Sequence, residues 1–326
     1  MSWTHIHARI HTALKAKGLL PKGSSILIAV SGGQDSLCLA KLLLDLRPKW
    51  DWSLAIVHCD HGWRADSAEN TAHVLQLAQR WQIPCFVETA KSLPTTEAAA
   101  RSWRYEVFAA VASAHQCNHV VTGHTATDRA ETVLYNLLRG SGADGMQALS
   151  WQRPLSLKYV DICVTRPLLQ LTRQETGAFC RELALPIWHD ASNDDLHYRR
   201  NRIRQELMPY LRSHFNPNVE TTLAQTAEIF TAEVSYLEHQ TNQVYSQLVT
   251  IEEDIWRIDR TRFKTISLAL QRRVARRLLQ TVLSQQLNFE HIEKLVALAS
   301  APHQAQTDPF PGGIVARVEH TWIILQ

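Results

Sequence analysis

Paired cysteines, a long apolar run and a large charge imbalance are all missing from these 326 residues. The six cysteines, Cys38, Cys59, Cys85, Cys117, Cys163 and Cys180, are widely spaced, and none forms C-x-x-C. That spacing argues against a zinc site, an iron–sulfur cluster or a disulfide framework, and reads as buried thiols. No run approaches the roughly 18 apolar residues that span a bilayer, and residues 1–7 lack the apolar core of a signal peptide, so a cytoplasmic location is expected. The formal net charge is only +3, weak evidence for a nucleic-acid partner by itself; where the charges lie matters more. Repeats and low-complexity tracts are also absent. The length allows one large domain and one small one.

What is present begins with an alternating rhythm. Residues 26–30, 53–58, 85–88 and 119–122 read as short apolar strands, and 37–46, 65–82, 97–115 and 127–138 as helices. Such βαβα alternation predicts a parallel sheet covered by helices, with ligands at the carboxyl ends of its strands. Residues 155–204 read as loop-rich and end in basic residues. Residues 223–248 predict a long helix, 268–283 a strongly basic one, 290–299 a short one, and 313–325 alternate like paired strands. The expected architecture is α/β: a Rossmann-like parallel-sheet domain over residues 1–212, then a smaller, mostly helical domain over 213–326 that includes the long connector helix.

Between the first strand and helix stands Ser31-Gly32-Gly33-Gln34-Asp35-Ser36. Glycines let the backbone approach a ligand closely, and free N–H groups at a helix start point at an anion, so the loop suggests a bound phosphate. It is no Walker A loop, because no Gly-Lys-Ser/Thr follows, and it lacks G-x-G-x-x-G. Asp35 would repel phosphate unless a cation bridges them, which implies Mg²⁺. The bland alternative is an ordinary βα turn with serine caps.

The hexapeptide resembles the PP-loop of the N-type ATP pyrophosphatases, which cleave ATP to AMP and pyrophosphate. Further blocks narrow the resemblance. Cys59-Asp60-His61-Gly62-Trp63-Arg64 with Asp66-Ser67, Glu97-Ala98-Ala99-Ala100-Arg101 with Arg104-Tyr105, and Gly123-His124-Thr125-Ala126-Thr127-Asp128-Arg129-Ala130-Glu131-Thr132, running on to Leu138-Arg139-Gly140, resemble successive segments of the tRNA(Ile)-lysidine synthetases. Arg166-Pro167-Leu168-Leu169 and Asp190-Ala191-Ser192-Asn193 with Arg200-Asn201-Arg202-Ile203-Arg204 complete the set. Trp63 departs from the family's usual Leu. The ordered blocks cover about residues 25–205.

The resemblance implies ATP-dependent ligation of L-lysine to C2 of the wobble cytidine of a tRNA(Ile) with a CAU anticodon. The cytidine is first adenylated with release of pyrophosphate; lysine then displaces AMP, and the tRNA reads AUA as isoleucine. ATP and Mg²⁺ are the implied cofactors, and the tRNA and free L-lysine the partners; the oligomeric state stays open, a homodimer included. Ser31, Gly32, Gly33, Gln34, Asp35 and Ser36, with Arg200 and Arg204, are candidates for ATP, and Asp35 also for the metal. Asp60, His124, Asp128 and Glu131 are candidates for lysine, and Asp35, Arg104, Asp128 and Glu131 for catalysis.

Beside the resemblance stands a reading of the residues. His124, Asp128 and Glu131, at i, i+4 and i+7, would share one helix face able to hold Mg²⁺ or an ammonium group; the alternative is a solvated face or a salt bridge with Arg129. Arg101, four residues after Glu97, is either half of a surface ion pair or a phosphate ligand. Arg272, Arg273, Arg276 and Arg277, preceded by Arg260, Arg262 and Lys264, flank a buried stripe of Val274 and Leu278 and form a candidate RNA surface; the alternative is a solubilising face. Rival readings are a tRNA 2-thiolating relative such as a 2-thiocytidine synthetase, which the lack of paired cysteines disfavours, a metabolite amidating enzyme, and a non-catalytic RNA-binding protein.

Overall fold

The computed structural model describes residues 3–62, 66–91, 96–156, 158–189, 196, 199–252, 255–283 and 287–326. Trp63, Arg64 and the Asp190–Asn193 block lie outside the described residues, as does the side chain of Glu97. The chain divides into two compact units, Met1–Thr231 and Ala232–Gln326. The division falls inside a long helix, where the sequence placed it at 212.

The first unit runs α1 (His5–Ala16), β1 (Ser25–Ala29), α2 (Gln34–Trp50), β2 (Ser53–Asp60), α3 (Ser67–Trp81), β3 (Cys85–Thr89), α4 (Glu97–Ala114), β4 (His119–Val121), α5 (Ala126–Leu138), α6 (Ala143–Met146), β5 (Gln152–Pro154), β6 (Cys163–Thr165) and α7 (Arg173–Glu182). Then come α8 (Arg199–Arg202), a π-turn (Ile203–Leu207), α9 (Met208–His214) and α10 (Val219–Leu248), which runs on into the second unit. Its six strands lie in the order β3-β2-β1-β4-β6-β5, all parallel except the edge strand β5. Ile26, Leu27 and Ile28 are fully buried, as expected of a strand covered on both faces. Leu27 joins Val57, Val107, Phe108 and Val120 under α4. Ile26 and Ile28 join Leu37, Leu39, Val74 and Phe179 on the opposite face.

The chain winds outward from β1 to β3, then returns to β4 on the other side of β1. The loops after β1 and β4 therefore face each other at the point where the winding reverses, where open α/β sheets bind ligands. Helices α1 and α7 lie outside the motif blocks. In α1, Ile6, Ile10, Ala13 and Leu14 are buried at helical spacing. The segment read as loop-rich holds α7, started by a capping box in which the Thr172 hydroxyl accepts from Glu175 N–H and the Glu175 side chain accepts from Thr172 N–H.

The second unit contains the remainder of α10, β7 (Val249–Glu252), β8 (Ile255–Asp259), α11 (Arg260–Thr265), α12 (Leu268–Val282), α13 (Phe289–Ala297), β9 (Ala316–Glu319) and β10 (Trp322–Leu325). Its antiparallel sheet has the order β7-β8-β10-β9. Val274, Leu278 and Leu279 of α12 pack with Leu295, Phe263, Ile258 and Ile323. Among the described residues, no helix is long and apolar enough to cross a membrane.

Candidate active site

Gly33 caps α2 with no side-chain acceptor, so the first N–H groups of the helix stay open at the loop mouth. The loop holds its own shape. Ser36 Oγ donates to Gly33 O (2.8 Å) and accepts from Ser31 N–H (3.2 Å), and Gly33 N–H reaches Ser31 Oγ (3.4 Å). Gly32 has φ +86°, and a Cβ there would lie 2.5 Å from Asn70 Oδ1. Its carbonyl accepts from Trp188 N–H (2.9 Å), tying the loop to residues far downstream.

Gln34 turns away from the loop mouth: its amide donates to Arg173 O (2.7 Å) and Thr176 Oγ1 (2.9 Å) at the start of α7. Gly177 permits this, since a Cβ there would lie 2.9 Å from Gln34 Oε1. Asp35 accepts from the Thr176 hydroxyl and from Gln34, with Arg173 Nε at 3.7 Å. Burial and then the charge of Asp128 push its carboxyl above the ordinary range, outweighing Arg173 and the hydrogen bonds.

The loop after β4 closes on this turn. A Cβ on Gly123 would lie 2.9 Å from the Asp35 carbonyl carbon and oxygen, so only glycine allows the approach. Gly123 stands in a recognised block, yet its role is visible only in three dimensions.

His124 does not lie on the helix face that its spacing suggested. Thr125 is the N-cap of α5, so His124 precedes the helix, its Nδ1 paired with Thr122 Oγ1 (2.8 Å). Burial, then the nearby Arg166, Arg200 and Arg101, outweigh Asp128 and lower its pKa to about 3. Arg129 is not the partner of Asp128 or Glu131 either. It is 2% exposed and pairs with Glu228 (2.8 Å), which also accepts from Trp151 Nε1 (2.9 Å).

Asp128 and Glu131 do meet, and they meet Arg200 and Arg204. Asp128 Oδ2 accepts from the Thr125 N–H and hydroxyl, both at 2.8 Å, completing a capping box. Its Oδ1 accepts from Arg200 (2.8 Å) and Arg204 (3.1 Å). Glu131 is fully buried and accepts from Arg200 Nε (3.1 Å) and Arg204 Nε (2.6 Å). Burial alone would raise the Asp128 carboxyl; Arg200, His124, Arg204 and the Thr125 N–H prevail and hold it well below the carboxylate range. The two carboxylates thus balance the two guanidiniums. Beside them opens a cavity of about 370 Å³ whose lining includes Gln34, Glu131, Arg173, Arg204 and Glu220.

Asp60 ends β2, and its carboxylate accepts from Gly62 N–H (2.8 Å), closing a turn. His58 donates from Nδ1 to Val30 O (2.8 Å), stitching β2 to the chain leaving β1. Arg104 sits on α4 near Cys59; burial, against the Arg104 charge, pushes that thiol up to about 12. For Mg²⁺ the fit is one carboxylate, Asp35, beside a phosphate-binding loop, the ligand set this ion takes when phosphates supply the rest. Among the described residues no cluster of three or more His, Cys, Asp or Glu could cage a metal.

A family model described as the PP-loop domain matches residues 3–211. A tRNA(Ile)-lysidine synthase of Nostoc sp. is 52% identical, covering 100% of this chain and 98% of its own. One from Synechocystis sp. is 49% identical over 98% and 97% of the two chains. A chloroplastic one from Zygnema circumcarinatum is 36% identical over 88% and 78%. Among solved structures, the U34-tRNA thiolase NcsA of Methanococcus maripaludis, with its 4Fe-4S cluster, superimposes with a TM-score of 0.56 at 15% identity, over 68% of this chain and 77% of that one, a likeness of fold. A phosphate loop on a parallel sheet and full-length likeness to these relatives lead to one conclusion: the chain belongs to the tRNA(Ile)-lysidine synthase family, ligases built on an ATP-binding PP-loop domain.

Proposed function

We propose that the protein adenylates the C2 oxygen of the wobble cytidine in a CAU-anticodon tRNA(Ile) and then joins free L-lysine to C2, releasing pyrophosphate and AMP. The observation that carries the proposal is the facing of the open α2 N-terminus with the Asp128–Glu131 cluster across the contact of Gly123 with Asp35. The loop backbone, Ser31 and Ser36 receive the pyrophosphate side of ATP. Asp35 would hold Mg²⁺ together with the phosphates, and the ion would offset their charge.

Lysine poses a protonation problem. With a free pKa near 10.4, only about one ε-amine in a few thousand is neutral at pH 7, a cost of roughly 4–5 kcal/mol. Paired with Arg200 and Arg204, Asp128 is too weak a base to accept that proton. ATP phosphates draw on the same two guanidiniums and loosen the cluster, which leaves Asp128 and Glu131 to hold the ammonium group and take its proton. Loading of the nucleotide is thus coupled to readiness for lysine. The adjacent cavity carries carboxylates for ammonium groups (Glu131, Glu220) and guanidiniums for the α-carboxylate (Arg173, Arg204).

The direct test incubates protein, tRNA, Mg-ATP and radiolabelled lysine and follows label into RNA. Absence of transfer to a CAU-anticodon tRNA(Ile) sinks the proposal. Asp128→Asn, which keeps an oxygen acceptor for the Thr125 cap, should spare pyrophosphate release and slow lysine transfer by on the order of 10²–10⁴. Loss of pyrophosphate release in that variant contradicts the division of labour.

A further inference from the structure

Among the described residues, three guanidiniums converge on Tyr105 with no carboxylate among them. The Arg101 guanidinium lies 5.3 Å from the ring centroid and that of Arg153 5.1 Å. Arg166, which leaves the end of β6, is 1% exposed and stands close enough for its charge to act on the Tyr105 hydroxyl. Among the described residues, no ion pair joins any of the three to an Asp or Glu. Their hydrogen bonds go to neutral carbonyls: Arg166 to Ser150 O (2.8 Å), Arg153 to Pro154 O (2.9 Å) and Leu155 O (3.2 Å). Arg166 Nε is buried without a hydrogen-bond partner, and the buried Tyr105 hydroxyl has only the guanidinium of Arg166 to engage it.

Arginine cannot shed its proton to escape such a setting, and an unpaired buried cation is costly. Three held together repel one another as well. The arrangement has the composition of an anion site without its anion: forked donors, an aromatic platform and a buried hydroxyl. We propose that Arg101, Arg153, Arg166 and Tyr105 form a binding site for a backbone phosphodiester of the RNA substrate, next to the nucleotide that enters the active site. This rests on the RNA substrate of the proposed function.

Three features favour an RNA phosphate over a phosphate of ATP. Val164 of β6, the register partner of Arg153, belongs to the core under α4, so the cluster occupies that face of the sheet, whereas α2 packs on the other. β4 separates β6 from β1 and its phosphate loop. Among the described residues the cluster also lacks the carboxylate that a Mg²⁺-bound polyphosphate calls for, whereas a phosphodiester carries one charge and needs no metal. Arg101 is exposed and Arg153 half-exposed, so a polymer can reach them. Arg101 and Arg166 also act on His124, which places the site beside the reacting groups.

The test measures binding of unmodified tRNA to the full chain across a salt series, without lysine, together with ATP binding without RNA. Arg153→Gln and Arg101→Gln should each weaken tRNA binding roughly tenfold and lower the slope of log K against log salt by about 0.7, one phosphate contact. Arg153→Lys should restore most of the slope, and ATP affinity should not move. Parental slopes in both glutamine variants overturn the assignment. So does a loss of ATP affinity with tRNA binding intact, which would give the site to the nucleotide. Because binding is read without lysine, a tRNA that binds normally but is never lysinylated defeats the proposed function while leaving this site standing.

Discussion

On α12, Arg272 makes a forked bond to Glu293 of α13 (2.8 and 3.1 Å), Arg273 pairs with Glu238 of α10, and Arg277 bonds Asn242 and covers the Tyr245 ring. Around Tyr105, the guanidiniums of Arg101, Arg153 and Arg166 meet carbonyls and an aromatic face instead. The first group is dense in the sequence and largely neutralised in the structure. The second is scattered over 66 residues, from Arg101 to Arg166, and keeps its charge. Arg200 and Arg204 stand between these extremes, neutralised by Asp128 and Glu131 but in a buried place that a polyanion can contest. Arginine density along a chain thus says little about net field. What counts is which carboxylates the fold brings near, and that decides which guanidiniums stay open to an anion and which are already neutralised.

The largest loss is expected on removing a buried counter-charge. Glu131→Gln leaves Arg200 and Arg204 short of one negative charge in a fully buried place, and should destabilise the first unit by about 3–5 kcal/mol. Urea unfolding, with the second unit as internal reference, reads this out. A loss below about 1 kcal/mol would mean that the pair behaves like a surface bridge.

A smaller effect of opposite sign is expected at Asp35. Its folded pKa is raised above the unfolded 3.8, so ionisation opposes folding: the penalty is absent below pH 3.8 and develops as pH rises through the folded value. Asp128 is the reverse. Its folded pKa is depressed, so its stabilisation is present above 3.8 and is lost as pH falls through the folded value. Asp35→Asn should therefore raise the thermal midpoint at pH 7, lose that advantage below pH 4, and abolish pyrophosphate release. A midpoint at pH 7 equal to or below that of the parent refutes the sign.

Much of this was legible in the chain. The strand and helix rhythm of residues 25–138, the phosphate loop and the meeting of Asp128 with Glu131 follow from local periodicity and motif. Other features depend on contacts far apart in sequence, which no spacing rule encodes. Gln34 anchors α7 through Arg173 and Thr176. Arg129 reaches Glu228, not its neighbours. His124 falls outside α5 because Thr125, a better cap, takes the helix start. A sequence signal for α7 does exist in the capping box Thr172-x-x-Glu175, ahead of a largely polar segment.

The weakest response is expected from the arginines of α12, a dense basic cluster in the sequence. The Glu293 forked bond already engages Nε and Nη2 of Arg272 and offsets its charge, so a phosphate must compete with that carboxylate for the guanidinium. Arg272→Gln should lower tRNA affinity by less than about twofold, against about tenfold for Arg153→Gln, and leave the urea midpoint of the second unit unmoved, as for most exposed pairs. The converse variant, Glu293→Gln, frees that guanidinium and should tighten tRNA binding and steepen its salt dependence by up to about one contact. If Arg272→Gln instead weakens binding as much as Arg153→Gln does, α12 exchanges its carboxylate partners for phosphates at little cost. Intramolecular pairing then does not measure the availability of these arginines to RNA, and the contrast between the two groups fails.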